Sequence, residues 1–221
     1  MGEIILVVIG ILIALQVNNW NEHRKLKQTQ NNYLLQLADD IDFMQKNYKG
    51  LVQSHKFQLD QAREVYRIVN SCEISNEEKV NFDNFFFRFN SLGVLYYVSD
   101  TYEEMLSANL VASIEDKDFK NIISEFFTQR DAMQIFIDQF QQNLNLDYKV
   151  LKEHVVFGFD SLNQPTLDYE ISELCNSKGF KNAVVEGINA REATYQMVSI
   201  LSGKLEQMQA MLNSENKDNL E

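Results

Sequence analysis

The sequence predicts an all-α protein in which an N-terminal transmembrane helix continues into an elongated antiparallel helical bundle with coiled-coil character. Three observations predict it. The opening run from Ile4 to Val17 holds one polar side chain, Gln16, and Trp20 closes it. Beyond that run, apolar residues recur at helical spacing in three long stretches. One proline (Pro165) and eight glycines among 221 residues leave few breakers, which argues against an all-β fold.

The opening helix is short for its task. Ile4 to Val17 gives about 21 Å at ~1.5 Å per residue, and a bilayer core is about 30 Å thick. Met1 to Trp20 just reaches that span, with Glu3 close to one edge. A cleaved signal peptide fits less well, because Met1-Gly2-Glu3 is acidic and Leu15-Gln16-Val17-Asn18 offers no small-x-small site. Glu3 and Gln16 are polar groups in or beside hydrocarbon, which are functional candidates by default. Gly10 and Ala14 form a small-x-x-x-small pair that permits close helix approach. Together these four residues predict helix–helix association in the membrane. The plainer reading is an ordinary anchor with Glu3 and the interface residue Trp20 at its two edges.

The predicted units are a transmembrane helix over 1–20, a heptad stalk helix over 21–70, a helical bundle body over 71–213 and a disordered tail over 214–221. In the stalk, Leu34, Leu37, Ile41, Met44, Tyr48, Leu51 and His55 keep the 3-4 spacing of a coiled-coil seam. Leu59, Ala62, Tyr66 and Val69 continue it after a four-residue stutter. Such a stripe packs either on this chain's later helices or on a second copy. Ser71 to Lys79 reads as a polar turn. Phe82, Phe85, Phe86, Phe87 and Phe89 then crowd together, followed by Leu92, Val94, Leu95, Tyr96, Tyr97 and Val98, in a short helix or an extended segment. Such density points to core, and a ligand pocket is the sharper alternative.

Thr101 with Glu104 predicts a capping box for a short helix to about Ala108. Ser113 with Asp116 opens the second long helix. Its stripe runs through Phe119, Ile122, Ile123, Phe126, Met133, Phe136, Ile137, Phe140, Leu144, Tyr148, Leu151 and Val155, interrupted by Arg130. Gly158 to Gly179 reads as a loop containing Pro165, with a short helix around Tyr169 to Leu174. The last long helix, about Phe180 to Leu212, carries Val184, Ile188, Tyr195, Val198, Leu201, Leu205, Met208 and Leu212.

Charge separates the stalk from the body. Residues 22–70 hold eight Lys and Arg against six Asp and Glu, a net of +2. Residues 71–221 hold twelve against twenty-five, a net of −13, within a total of −12. An acidic body repels nucleic acid and anionic headgroups, so no nucleic-acid partner is expected.

Motifs for chemistry are absent. His23, His55 and His154 are scattered and belong to no His-Glu-x-x-His or Glu-x-x-His pattern. There is no Walker loop, no Gly-x-Gly-x-x-Gly and no Gly-x-Ser-x-Gly elbow. No cofactor, metal or catalytic residue is predicted. Cys72 and Cys175 pair only if the fold brings their loops together in an oxidising compartment. His55 reads as a core histidine or a pH sensor, and Arg130 as an internal ion pair or an anion receiver.

The run GEIILVVIGILIALQVNNWNE resembles the signature of an uncharacterised single-pass membrane-protein family common in Bacteroidota. The segment Asp100-Thr101-Tyr102-Glu103-Glu104-Met105-Leu106, followed by Leu110-Val111-Ala112-Ser113-Ile114, is similar to that family's Tyr-Glu-Glu-Leu block. The resemblance covers most of the chain and implies no activity. Members carry a basic segment before the Gly-Glu pair, which implies a chain that starts further upstream. Arg24, Lys25 and Lys27 alone argue for a cytoplasmic body. The basic segment implied by the resemblance argues for the bacterial inner membrane with the large domain in the periplasm.

Two functions fit. The first is a non-enzymatic, membrane-anchored helical scaffold or interaction protein, oligomeric through itself or another membrane protein. The alternative is a periplasmic ligand-sensing helical bundle that signals through a separate partner. A pocket among the aromatics beside Arg130 favours the second, and a solid core there favours the first.

Overall fold

The computed structural model describes residues 2–95 and 98–218, with side chains over 7–95 and 98–213. Tyr96 and Tyr97 of the aromatic stretch lie outside the described residues. The chain folds as α1 (Gly2–Ser71), α2 (Asn76–Phe87), α3 (Asp100–Ser107), a 3-10 turn (Val111–Ser113) and α4 (Lys117–Lys152). The hairpin strands β1 (Val156–Phe159) and β2 (Pro165–Asp168) follow, then α5 (Ile171–Asn176) and α6 (Lys178–Asp218).

α1 is one unbroken helix of 70 residues, about 105 Å long at ~1.5 Å per residue. It contains no proline, and a Cβ at Gly50 would meet nothing within 4 Å. It ends where Cys72 turns to φ 59° and its N–H reaches back to the Ile68 carbonyl at 2.8 Å. That left-handed residue after the last turn is a common helix stop, taken here by a non-glycine.

α6 is the central element, packed along α1 on one side and α4 on the other. It runs antiparallel to both. Asp42 accepts from Gln209 at 3.0 Å, Lys49 faces Glu206 at 3.8 Å, and Arg63 pairs with Glu192. On the other side Lys204 meets Glu125 at 2.7 Å. These rim contacts set register and each adds little stability, about 0–1 kcal/mol.

The apolar stripes carry the packing. Leu37, Ile41, Met44, Tyr48, His55, Leu59, Ala62 and Val69 of α1 are buried, and so are Phe119, Ile123, Phe126, Ile137, Leu144 and Leu151 of α4. From α6 come Val184, Val198, Leu201, Leu205 and Met208. Each fully buried Leu, Ile or Phe contributes about 1.5–3 kcal/mol. The seam of α1 thus packs within this chain, on α6.

Several local expectations are corrected. Tyr66 turns outward, and Val65 and Ile68 face the core in its place. Past the stutter the true 3.6-residue period rotates the stripe away from a strict heptad. Phe136 is half exposed while Phe127 is buried. Ser99, not Thr101, precedes α3, and its hydroxyl donates to Glu103 at 2.6 Å. Asp116 caps α4 through the Asp118 and Phe119 N–H groups at 2.8 and 3.0 Å, whereas Ser113 closes the 3-10 turn. The predicted tail is helical as far as Asp218, and residues 219–221 lie outside the described residues.

The segment read as a loop after Gly158 contains half of a hairpin. β1 and β2 pair antiparallel, Phe157 opposite Leu167 and Phe159 opposite Pro165. Asp160 builds the turn: its carboxylate accepts from the Leu162 and Gln164 N–H groups, both at 2.8 Å. Asn163 takes φ 62°, a conformation asparagine tolerates better than most residues. Pro165 sits where an edge strand needs no donor.

The aromatic stretch resolves as α2 and its exit. A capping box starts the helix: the Glu78 N–H donates to Ser75 Oγ at 3.2 Å, and the Ser75 N–H donates to Glu78 at 2.8 Å. Phe82, Phe85, Phe86 and Phe89 are buried. Phe86 lies edge-on to both Phe82 and Phe85, with centroids 4.9 and 5.4 Å apart, and reaches Phe180 of α6 at 5.6 Å. Beyond α2 the chain runs extended along α4, where glutamine side chains replace a partner strand. Gln141 accepts from the Leu92 N–H at 3.0 Å and donates to the Asn90 carbonyl, and Gln134 accepts from the Leu95 N–H at 3.0 Å.

A close approach fixes where α2 meets α6. A Cβ on Gly187 would lie 2.7 Å from Cε2 of Phe89, a ring with no exposed surface. Gly187→Ala is therefore expected to destabilise the body by about 1–3 kcal/mol through overpacking. Urea unfolding should show a lower midpoint with an unchanged slope.

Candidate functional site

The predicted site residues fall into two regions. The first is the apolar start of α1. Every described side chain from Val7 to Trp20 is exposed, including Val7 at 62%, Ile11 at 56%, Val17 at 58% and Trp20 at 64%. Among the described residues no other element covers this stretch. Gly10, Ala14 and Trp20 line one shallow groove with Ile13, Val17, Asn18 and Asn21. Gln16 does not line it, because six residues past Gly10 puts it on another side of the helix. The Glu3 side chain lies outside the described residues. Among the described residues no helix is long and apolar enough to cross a membrane. The described part of the apolar run, Val7 to Val17, gives only about 16 Å of helix.

The second region is the polar interior of the body. Arg191 on α6 is 2% exposed, and no carboxylate reaches it among the described residues. Carbonyls hold it instead. Its guanidinium donates to Gly187 O at 3.0 Å, Arg88 O at 3.0 Å and Phe89 O at 2.8 Å. Arg88 is the residue that ends α2, so the cation sits at the negative end of that helix's dipole. The rings of Phe85 and Phe89 lie 5.2 and 5.7 Å from the guanidinium carbon. Burial pushes Arg191 down to about 10, so it stays charged at neutral pH.

His55 and Tyr48 look into the same interior from α1. His55 is 4% exposed, and among the described residues its Nδ1 has no hydrogen-bond partner. Burial, and then the Arg191 charge, hold its pKa below the ordinary value of 6.5. Tyr48 has no exposed surface, and among the described residues its hydroxyl has no hydrogen-bond partner. Burial raises its pKa, against a smaller opposing effect of Arg130. Arg130 itself pairs with its neighbour Asp131. The aromatic residues around Arg191 form a packed core in which rings, guanidinium and backbone carbonyls fill the space between α2 and α6.

Cys72 and Cys175 are brought together. They form a disulfide with Cα atoms 5.6 Å apart, inside the usual range for such bonds. It joins the end of α1 to α5. His23 is exposed on α1, and His154 meets Ser177 Oγ at 2.9 Å, where Ser177 also accepts from the Phe180 N–H and so caps α6. Among the described residues no group of His, Cys, Asp and Glu is placed to hold a metal ion.

Sequence reasoning missed Arg191. It stands in Ala190-Arg191-Glu192, a stretch that looks like an ordinary helix surface, and its partners are backbone atoms about a hundred residues away. Arg191→Met should leave the Gly187, Arg88 and Phe89 carbonyls without this donor and destabilise the body by about 1–3 kcal/mol for each that stays unsatisfied. Arg191→Lys should recover only part of that, since one ammonium does not match a planar fork. Urea unfolding of both variants checks this.

The histidine predicts a pH dependence. The folded pKa of His55 is depressed, so the unfolded chain binds more protons below about 6.5. The contribution is fully present above pH 6.5 and is lost as pH falls toward the folded pKa. His55→Leu should flatten the stability profile between pH 6.5 and 5 by up to about 1.4 kcal/mol per pH unit, read from unfolding midpoints.

No curated protein and no solved structure matches the chain. Residues 3–185 match the profile described as a family of unknown function, DUF6090, which takes in the apolar start of α1, the disulfide and the hairpin. By that match over most of its length, the chain belongs to the DUF6090 family.

Proposed function

We propose that this protein is a non-enzymatic, membrane-anchored helical scaffold or interaction protein that works as an oligomer. One observation carries the reading: α1 projects an exposed helix, Val7 to Val17, that is apolar except for Gln16, from a body whose apolar stripes are mostly buried. A helix hydrophobic all round belongs inside a protein core or a bilayer. Extended back to Ile4 and forward to Trp20, the run approaches the length of a bilayer core. The resemblance of its sequence to a single-pass family of Bacteroidota supports the same reading.

The disulfide supports a periplasmic body, since such bonds persist in oxidising compartments. The open groove at Gly10 and Ala14 supports close approach of a second membrane helix. The packed aromatic core favours a scaffold over a ligand sensor. The sensing alternative draws on one feature, the unbroken α1, which would carry a shift in the body into the anchor without a joint.

Carbonate extraction of native membranes tests the anchor. The intact protein should stay in the pellet, and a variant lacking residues 4–17 should be released. Release of the intact protein would refute anchoring. Thiol alkylation of intact cells without reductant should leave Cys72 and Cys175 unlabelled, and labelling of both would move the body to the cytoplasm. Crosslinking should capture a second copy or a membrane partner, and a clean monomer would sink the scaffold.

A further inference from the structure

α1 carries eight lysines and arginines beyond its apolar run, and the structure divides them sharply. The five beside the body all meet carboxylates. Lys46 pairs with Asp42 at 2.6 Å, Lys49 with Glu206 at 3.8 Å and Lys56 with Asp60 at 2.6 Å. Arg63 pairs with Glu192, and Arg67 with Glu64 at 2.8 Å. The remaining three, Arg24, Lys25 and Lys27, meet no carboxylate among the described residues. All three are exposed. Arg24 rests over the Trp20 ring at 5.5 Å and touches Asn21 at 3.4 Å. The nearest acid in sequence, Glu22, is engaged by Asn18 at 2.9 Å.

Their position along the helix is as particular as their pairing. Lys25 and Lys27 lie about 7 and 10 Å beyond Trp20 at ~1.5 Å per residue. A headgroup layer is about 5–8 Å deep on each side of the hydrocarbon core. Three residues past Lys27, Gln30 makes a long-range contact with the body, donating to the Ser113 carbonyl at 2.9 Å. The three cations therefore form a collar on a bare length of helix, between an apolar segment and an acidic body.

We infer that Arg24, Lys25 and Lys27 bind the phosphate groups of anionic phospholipids in the leaflet at the Trp20 end of the anchor. The inference rests on the anchored reading for where the headgroups lie. The observation that carries it is separate: cations elsewhere on α1 are neutralised within the chain, and among the described residues these three meet no acid. The collar also opposes the body's own repulsion from such a surface, since Glu115, Asp116 and Asp118 lie close to Ser113. Cations near an anionic membrane each strengthen association roughly fivefold, and salt screens the effect.

The full chain, added from dilute detergent to vesicles, tests the collar. One set is phosphatidylcholine alone, and the other is phosphatidylcholine and phosphatidylglycerol in a three-to-one ratio. The wild type and a triple variant, R24Q/K25Q/K27Q, are compared by flotation. The lone tryptophan, Trp20, reports insertion by the blue shift of its emission. On phosphatidylcholine the two proteins should float equally, with equal blue shifts. Phosphatidylglycerol should raise wild-type association by up to roughly a hundredfold at low salt, falling as salt rises, while the variant gains little. An equal gain by both proteins would overturn the collar and leave the anchor standing. No blue shift in either vesicle would overturn the anchor itself. Helical content by circular dichroism should be unchanged, because the substituted side chains touch nothing in the body.

Discussion

The body depends on one buried charge. Arg191 reaches from the middle of α6 into the exit of α2 and satisfies carbonyls that the helix end leaves open. Among the described residues no acid neutralises it. The negative end of α2 and the faces of two phenylalanines take that role, an arrangement that works only if the helix end, the rings and the guanidinium arrive together. The glycine one turn before Arg191 lets Phe89 come close enough to complete it. α2 is also held by its buried phenylalanines and by the pair between Glu78 and Arg67 of α1, and the Arg191 contact fixes where its C-terminal end sits. Once they are placed, α6 has a defined face for α1 and another for α4. A charge without an acidic partner thus orients a core made mostly of hydrocarbon.

How legible this was in the sequence depends on the range of each interaction. The long helices follow from periodicity, which is local, and so α1, α4 and α6 read clearly, with stripes wrong only where the period drifts, as at Tyr66 and Phe136. The hairpin did not read because its strands are four residues long and its turn is built by Asp160 and Asn163 without an Asn-Gly pair. Thr101 looked like a cap because Glu104 follows at the right spacing. Ser99 and Glu103 offer a competing pair two positions earlier, and only the exit from the extended segment decides between them. The cysteines could not be paired from spacing, since one hundred residues of chain set no distance. Arg191 was invisible for the same reason.

The two ends of the body are built differently. At the distal end a disulfide, a helix cap supported by His154 and a hairpin close the bundle with many short contacts. At the other end α1 runs on alone, apolar and then basic, with little to hold it but its own backbone hydrogen bonds. Burial thus falls along α1 toward the segment we place in the membrane. The interactions that segment lacks within the chain are the ones a bilayer supplies: hydrocarbon for its aliphatic residues and phosphate for its cations.

The disulfide also decides which parts of the chain bear load. The start of α1 and the end of α6 emerge from the same end of the bundle, because the two helices are antiparallel. Tension between the anchor and the C-terminal end would peel these two helices apart like a zipper. The peeling front meets the bond between Cys72 and Cys175, which stand 103 positions apart and enclose α2, α3, α4 and the hairpin. Everything in that ring is off the load path. Roughly 350 Å of contour length is withheld from extension while the bond stands. A reductant would release that slack at once, so the chemistry of the surroundings would set how far the molecule can be stretched.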